Sequence, residues 1–349
     1  MTSNKSPSAE QFISKVCQYG TKNQYVSKSA GKSISKRVRT FVYDELPKRK
    51  LASTYNTRPL KNCDNLVLHF DLDRTSAFQY DNRLWVMSRT PDWTRGLRKS
   101  FPDDSMYYYI SCFFHFAQQY TSRACFVQVI GSIALTYQIP THFYSDISQS
   151  YFTRNGILSD TEIRSKYSLD KKHKMDSSRQ KMFLRLCDQI NGLDPYVHRA
   201  LFNYVRGLEL RQSGFDEEAI CAFDKVVDVV CQFFTNLKKP ATAFSREDLK
   251  IILELSEQEA TIATRLYKLR NYFGAHPAQS KWWDFSEIFD EDELDEFQKF
   301  TARLIIKFVH FESQNRTIDK NPNDWSNWFV MNWNVLWNSI WFEKLDKAL

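Results

Sequence analysis

Residues 215–234 read FDEEAICAFDKVVDVVCQFF, and this stretch decides the fold class. Ala219, Ile220, Phe223, Val226, Val227, Val230 and Phe234 recur at i, i+3, i+4 and i+7 spacing, which gathers them on one face of an α-helix. Just upstream, Gly214 and Asp216 mark a turn and an N-cap. Before that turn, Leu201, Tyr204, Val205 and Leu208 share another apolar face, so residues 199–235 read as a helix pair. Pro240 breaks the second helix, and Ser245 with Asp248 resembles a capping box that starts the next. Ile262, Leu266, Leu269 and Phe273 stripe a further helix, and Leu294, Phe297, Leu304, Phe308 and Phe311 stripe the last long one. Four or so amphipathic helices joined by short-to-moderate loops predict a helical bundle.

Outward from the bundle the character changes. The 349 residues are 42% hydrophobic, enough for two cores by ordinary domain lengths. With 9 Gly, 10 Pro and 15% aromatic residues, the chain is neither low-complexity nor disordered, and it lacks the turn glycines of an all-β sandwich. From Val38 to about Trp93 the pattern is strand-like, with VLHFDL and RLWVMS rich in β-branched and aromatic residues. YYYISCFFHFAQQY and ACFVQVIGSIALTY follow as two long buried helical segments. The expected class is mainly α, a C-terminal helical bundle preceded by a smaller mixed α/β (α+β) domain. We divide the chain into a basic flexible segment (1–37), the mixed domain (38–152), a polar linker (153–180) with a short helix from Ser159, the bundle (181–312) and a Trp-rich helix (313–349). In that last part Trp333, Trp337 and Trp341 fall at i, i+4 and i+8, a stripe that packs on the body or at an interface.

The net charge of +7 is uneven. Residues 1–50 hold 11 Lys/Arg against three acids, so the rest of the chain nets to −1. Such a basic segment suits a phosphate backbone or is a solvated terminus. The seven cysteines are widely spaced and form no CxxC, which suggests neither a disulfide framework nor a zinc site. The longest apolar stretch, Ala124 to Ile139, is 16 residues interrupted by Gln128, Ser132, Thr136 and Gln138, short for a membrane span. No secretory signal is expected at the N-terminus, and a reducing cytoplasm fits.

Chemistry concentrates at LYKLRNYFGAHP, residues 266–277. Pro277 disfavours the α conformation for His276, and Gly274 eases departure from the helix. On an unbroken helix Arg270 and His276 would lie about 120° apart; a helix ending between them lets the imidazole turn back toward the guanidinium. Histidine moves protons near neutral pH, arginine forks onto phosphate oxygens, and the amide of Asn271 holds an oxygen or orients the imidazole. With a ribose 2′-OH as nucleophile, that set cleaves a phosphodiester without a metal or other cofactor.

This stretch resembles the signature of the HEPN superfamily, whose catalytic members carry an arginine, an adjoining polar residue and a following histidine, here Arg270, Asn271 and His276. The helix pair at 199–235 and the long helix after the motif are similar to that family's arrangement, over residues 180–312. Pro277 stands where a glycine is common. The resemblance implies a metal-independent endoribonuclease leaving a 2′,3′-cyclic phosphate, with Lys268 and Tyr272 at the RNA substrate. It also implies a homodimer through the bundle, a role in a toxin system or antiviral (anti-phage) defence, and control by an antitoxin or regulatory partner, with no membrane involved. The alternatives are a non-catalytic HEPN module that binds RNA or protein, and a plain helix end where Arg270 forms a surface ion pair and His276 caps. Separately, LVLHFDLDRT (66–75) is similar to the first motif of the haloacid dehalogenase superfamily. That resemblance implies a Mg²⁺-dependent phosphohydrolase with Asp71 as nucleophile and Asp73 as acid/base, although Arg74 replaces the usual turn glycine.

Overall fold

Helix α1 (Lys28–Thr40) turns Ile34 and Val38 into the core and continues through a π turn (Phe41–Glu45) and a 3-10 turn (Leu46–Lys48). The computed structural model describes residues 13–14, 28–49, 51–59, 69–71, 75–80, 83–102, 104–138, 151–153, 177–190, 193–238, 245–275 and 289–315. Over these the chain is mainly helical, with a five-stranded sheet in the order β2-β3-β4-β1-β5. The strands are β1 (Leu51–Pro59), β2 (His69–Asp71), β3 (Thr75–Tyr80), β4 (Arg83–Pro91) and β5 (Tyr151–Thr153). Each described pairing is antiparallel. Asp71 therefore ends an edge strand paired with β3, opposite Ser76, and Asp73 lies outside the described residues.

Helix α2 (Trp93–Ser100) starts at the Asp92 side chain, which accepts from the Thr94 N–H at 3.2 Å. The two long segments expected next are one helix, α3 (Asp104–Tyr137), 34 residues long. The reason is local: no Gly or Pro occurs between residues 104 and 130, so nothing interrupts the ladder. Burial on both sides keeps α3 in place. Thr75 of β3 donates to Cys125 Sγ at 3.1 Å, and one turn later Gln128 Nε2 donates to the Cys187 carbonyl at 2.6 Å.

The bundle comprises α4 (Ser177–Ile190), α5 (Pro195–Gln212), α6 (Asp216–Lys238), α7 (Arg246–Ile252), α8 (Glu257–Arg270) and α9 (Glu291–Asn315). The expected helix pair is α5 and α6, joined through Gly214 at φ +77°, a conformation glycine adopts without strain. Asp216 falls on the first helical residue rather than on the cap position. The Ser245–Asp248 capping box is present, and a second box at Ser256–Glu259 starts α8. The predicted apolar stripes of α5, α6, α8 and α9 face inward, with Phe273 and Phe311 at the margin.

Two glycines set the helix spacing. A Cβ on Gly131 of α3 would meet Leu201 at 2.8 Å, and one on Gly207 of α5 would meet the Phe223 ring at 2.5 Å. One buried cluster then runs from Ala77 and Val86 of the sheet through Ile130 of α3 to Phe223 and Phe308 of the bundle. Helix α1 crosses the expected boundary at residue 37, and α4 begins inside the expected linker. The Trp-rich segment and the helix expected from Ser159 lie outside the described residues. No helix among the described residues is long and apolar enough to cross a membrane.

Glu259 ties the bundle's late helices together. It accepts from the Ser256 N–H at 2.9 Å, from Lys307 Nζ at 3.0 Å and from Arg303 Nε at 3.2 Å. Burial pushes its carboxyl up, but the Ser256 N–H and the two α9 cations outweigh that and hold it below the usual range.

Two outcomes follow from this packing. Gly207→Ala is expected to cost about 1–3 kcal/mol, as overpacking does, read as a lower urea midpoint at unchanged slope. Glu259→Gln is expected to cost about 1–2 kcal/mol at pH 7. Because the folded-state pKa of Glu259 is depressed, its contribution is present above the unperturbed value of about 4.3 and fades as pH falls through the folded value. Urea titrations of the native and Glu259→Gln proteins at neutral and acid pH should therefore converge on acidification.

Candidate functional site

The residues singled out in the sequence lie at the C-terminal end of α8. Helix α8 ends as an α-helix at Arg270, and the chain continues through a π turn over Asn271–Ala275. The α-helix thus ends at Arg270, before the histidine, and the described path widens through Ala275. Wide turns of this kind are rare and occur often at functional positions. His276 lies outside the described residues.

Arg270 is anchored from one side. Its Nη1 donates to Asp228 Oδ2 at 3.1 Å and to Asp224 Oδ2 at 3.3 Å, both on α6. The side chain is 36% exposed, and Nε and Nη2 make no hydrogen bond among the described residues. The same two carboxylates hold a second arginine. Arg246 at the start of α7 places Nη1 2.6 Å from Asp224 Oδ1 and donates from Nη2 to Asp228 Oδ1 at 2.7 Å. Its Nη1 also donates to the Ala263 carbonyl of α8 at 3.0 Å. Two guanidinium cations therefore meet two carboxylates, and the cluster is charge-balanced.

Asp224 is fully buried. Burial pushes its carboxyl above the usual range, against the pull of Arg246 and Arg270. Arg246 is affected the other way: burial would lower it, and its two carboxylate partners raise it instead. The Tyr267 ring closes the outer side. It lies 4.9 Å from the Arg246 guanidinium carbon and 5.8 Å from that of Arg270, within cation–π range. Burial also pushes the nearby thiols up, Cys221 on the Arg270 side and Cys231 to about 12 on the Arg246 side. Both stay protonated and are weak nucleophiles.

The other expected residues are arranged around this cluster. Asn271 is half-buried, and its side chain makes no hydrogen bond among the described residues. Lys268 is exposed and makes no ion pair among them. Tyr272 is exposed and meets Phe273 edge-on at 5.8 Å. The reading of the sequence missed Asp224, Asp228, Arg246 and Tyr267. The signal was available: DKVVDVV carries two acids four residues apart inside an apolar run. A carboxylate in such a run has to find a cation.

Chemically, the cluster can fix a guanidinium by one nitrogen and leave its other N–H groups for an oxyanion. It can equally serve as a buried clamp joining α6, α7 and α8. The described residues contain no group of His, Cys, Asp and Glu placed to hold a metal ion. The chain matches no family model, no curated protein and no solved structure.

Asp224→Ala would leave both guanidinia short of a partner and is expected to cost about 3–5 kcal/mol, as breaking a buried pair does. A double-mutant cycle resolves the two arginines. Coupling of Asp224 to buried Arg246 is expected at about 2 kcal/mol and to the more exposed Arg270 at under about 1 kcal/mol, both from denaturant unfolding.

Proposed function

We propose that the bundle is a metal-independent endoribonuclease of HEPN type acting at Arg270, Asn271 and His276. The observation that carries this reading is the anchoring of Arg270. One nitrogen is tied to α6 while Nε and Nη2 remain for a ligand, at the point where α8 widens into a π turn. A guanidinium pre-set in this way loses little freedom when it meets a phosphate.

In this reading the ribose 2′-oxygen attacks the adjacent phosphorus and the bond to the 5′-oxygen breaks, leaving a 2′,3′-cyclic phosphate. His276 takes the 2′-OH proton or supplies one to the departing 5′-oxygen. Arg270 stabilises the charge that builds on the phosphorane oxygens. Asn271 donates to a phosphate oxygen or orients the imidazole, and Lys268 and Tyr272 contact the flanking nucleotides. The RNA carries its own nucleophile, so the reading requires no metal. A two-fold dimer would bring two copies of the motif together. Unchecked cleavage would harm the cell that makes the protein, which fits a toxin or antiviral role under the control of a partner.

A second reading rests on the opposite aspect of the same contact. Arg270 is ion-paired to a buried aspartate, as a purely structural arginine would be. The bundle would then be a non-catalytic module for RNA or protein binding.

Cleavage of a mixed RNA pool in EDTA separates the two. The native protein is expected to yield cyclic-phosphate ends, with His276→Ala slower by about 10²–10⁴-fold. Cleavage lost on chelation, or equal in both proteins, would remove the nuclease reading. Absence of cleavage by the native protein would favour the module.

A further inference from the structure

The strongest charge asymmetry of the sequence lies outside α8. Residues 1–50 carry a net +8, and α2 adds Arg95, Arg98 and Lys99 with no acid in the helix. Everything else therefore nets to −4. The packing joins these two basic stretches. The Phe41 ring after α1 meets Phe114 of α3 edge-on at 5.2 Å, and Trp93 at the start of α2 meets the same ring at 5.9 Å. Trp93 Nε1 donates to Gln118 Oε1, and Gln118 Nε2 donates to Thr54 Oγ1, each at 3.0 Å. Helices α1 and α2 are thus fixed to one hub rather than trailing from it.

A second contact brings the charges closer. Gly96 leaves room for the Arg49 guanidinium, which would lie 2.5 Å from a Cβ at that position. Glu45 accepts from Arg49 Nη2 at 2.9 Å and from Ser100 Oγ at 3.3 Å, so one acid seats Arg49 on α2. Lys36, Arg37, Lys48, Arg95 and Lys99 are exposed and make no ion pair among the described residues. Asp92 is occupied at the α2 cap, and Asp103 and Asp104 follow α2 in sequence.

Aromatic rings border this surface. The Arg98 guanidinium lies 4.9 Å over Tyr107, which meets Tyr108 edge-on at 5.8 Å. Tyr108 is 66% exposed. We infer that the surface formed by α1, the Arg49 seat, α2 and the Tyr107–Tyr108 pair binds a single-stranded polynucleotide. Its free cations track the phosphates and Tyr108 stacks on a base. A membrane surface fits less well: α1 buries its apolar residues Ile34 and Val38, and Tyr108 is the one exposed large hydrophobic described in residues 28–138.

Fluorescence anisotropy of a labelled oligouridylate of about 20 nucleotides tests this. The full chain carries His276→Ala so that the RNA stays intact, and salt runs from about 50 to 200 mM. Because binding is read without cleavage, this inference and the nuclease reading fail independently. Arg95→Gln/Lys99→Gln is expected to weaken binding about tenfold at low salt and to reduce the log–log salt slope by about 1.4. Tyr108→Ala should weaken it about tenfold with the slope unchanged. A control pair on α4, Lys181→Gln/Arg185→Gln, should leave affinity and slope as they were. An oligothymidylate decides the sugar: equal binding supports phosphate-and-base recognition, and tighter oligouridylate binding supports RNA. Several results would overturn the inference. They are no binding by the parent chain, equal losses in the control pair, or duplex bound as tightly without dependence on Tyr108. Capture by phosphatidylserine–phosphatidylcholine vesicles with no oligonucleotide binding would overturn it as well. Thermal melts of each variant guard against misfolding, and Gly96→Ala unseats Arg49 while keeping every charge.

Discussion

A carboxylate without solvent exposure has to be compensated where it stands, and Asp224 sets that condition for the bundle. Burial alone would make its charge prohibitive. Arg246 from α7 and Arg270 from the end of α8 meet it and its neighbour Asp228. Three helices are thereby pinned at one point, and their mutual rotation is fixed by hydrogen-bond geometry rather than by apolar contact alone. Burial still pushes the Asp224 carboxyl upward, against the pull of the two arginines. Acid sensitivity is expected at Glu259, whose carboxyl is held low.

The second constraint is α3. Its 34 residues lie between the sheet and the bundle and bury side chains toward both. Close approach to α5 depends on the missing side chain at Gly131, as α5 on α6 depends on Gly207. Sheet and bundle share one continuous buried core across this helix. That single core differs from the separate cores that the chain's length and composition allow.

Helix periodicity was legible because each bundle helix buries one stripe: Val226 and Val230 of α6, and Leu266 and Leu269 of α8, face inward as their spacing requires. The Ser245–Asp248 cap was legible for a similar reason, since a cap is a local interaction between residues three apart. α3 reads as two pieces in the sequence because periodicity fades in a helix apolar on most sides. Within the site, Arg270 and Asn271 could be picked out by residue type and position. Their partners on α6 could not be paired with them, because Asp224 and Arg270 are 46 residues apart and no local rule joins them. The five-stranded order was equally out of reach: β1 takes β4 on one side across 23 intervening residues and β5 on the other across 91.

The charge balance at α8 bears on how any polyanion would reach it. Two guanidinia against two carboxylates present little net field beyond a Debye length of about 8–10 Å, so Arg270 acts at contact range. Long-range attraction of a polyanion would have to arise elsewhere, and residues 1–50 carry a net +8. Division of labour of this kind separates capture from positioning. In the reading proposed above, a broad basic surface would raise the local concentration of a polyanion without sequence preference, while a neutralised cluster would hold one guanidinium in a fixed orientation. A bare Arg270 would bind any passing phosphate; one tied to α6 by a single nitrogen gives up part of its charge and keeps its geometry.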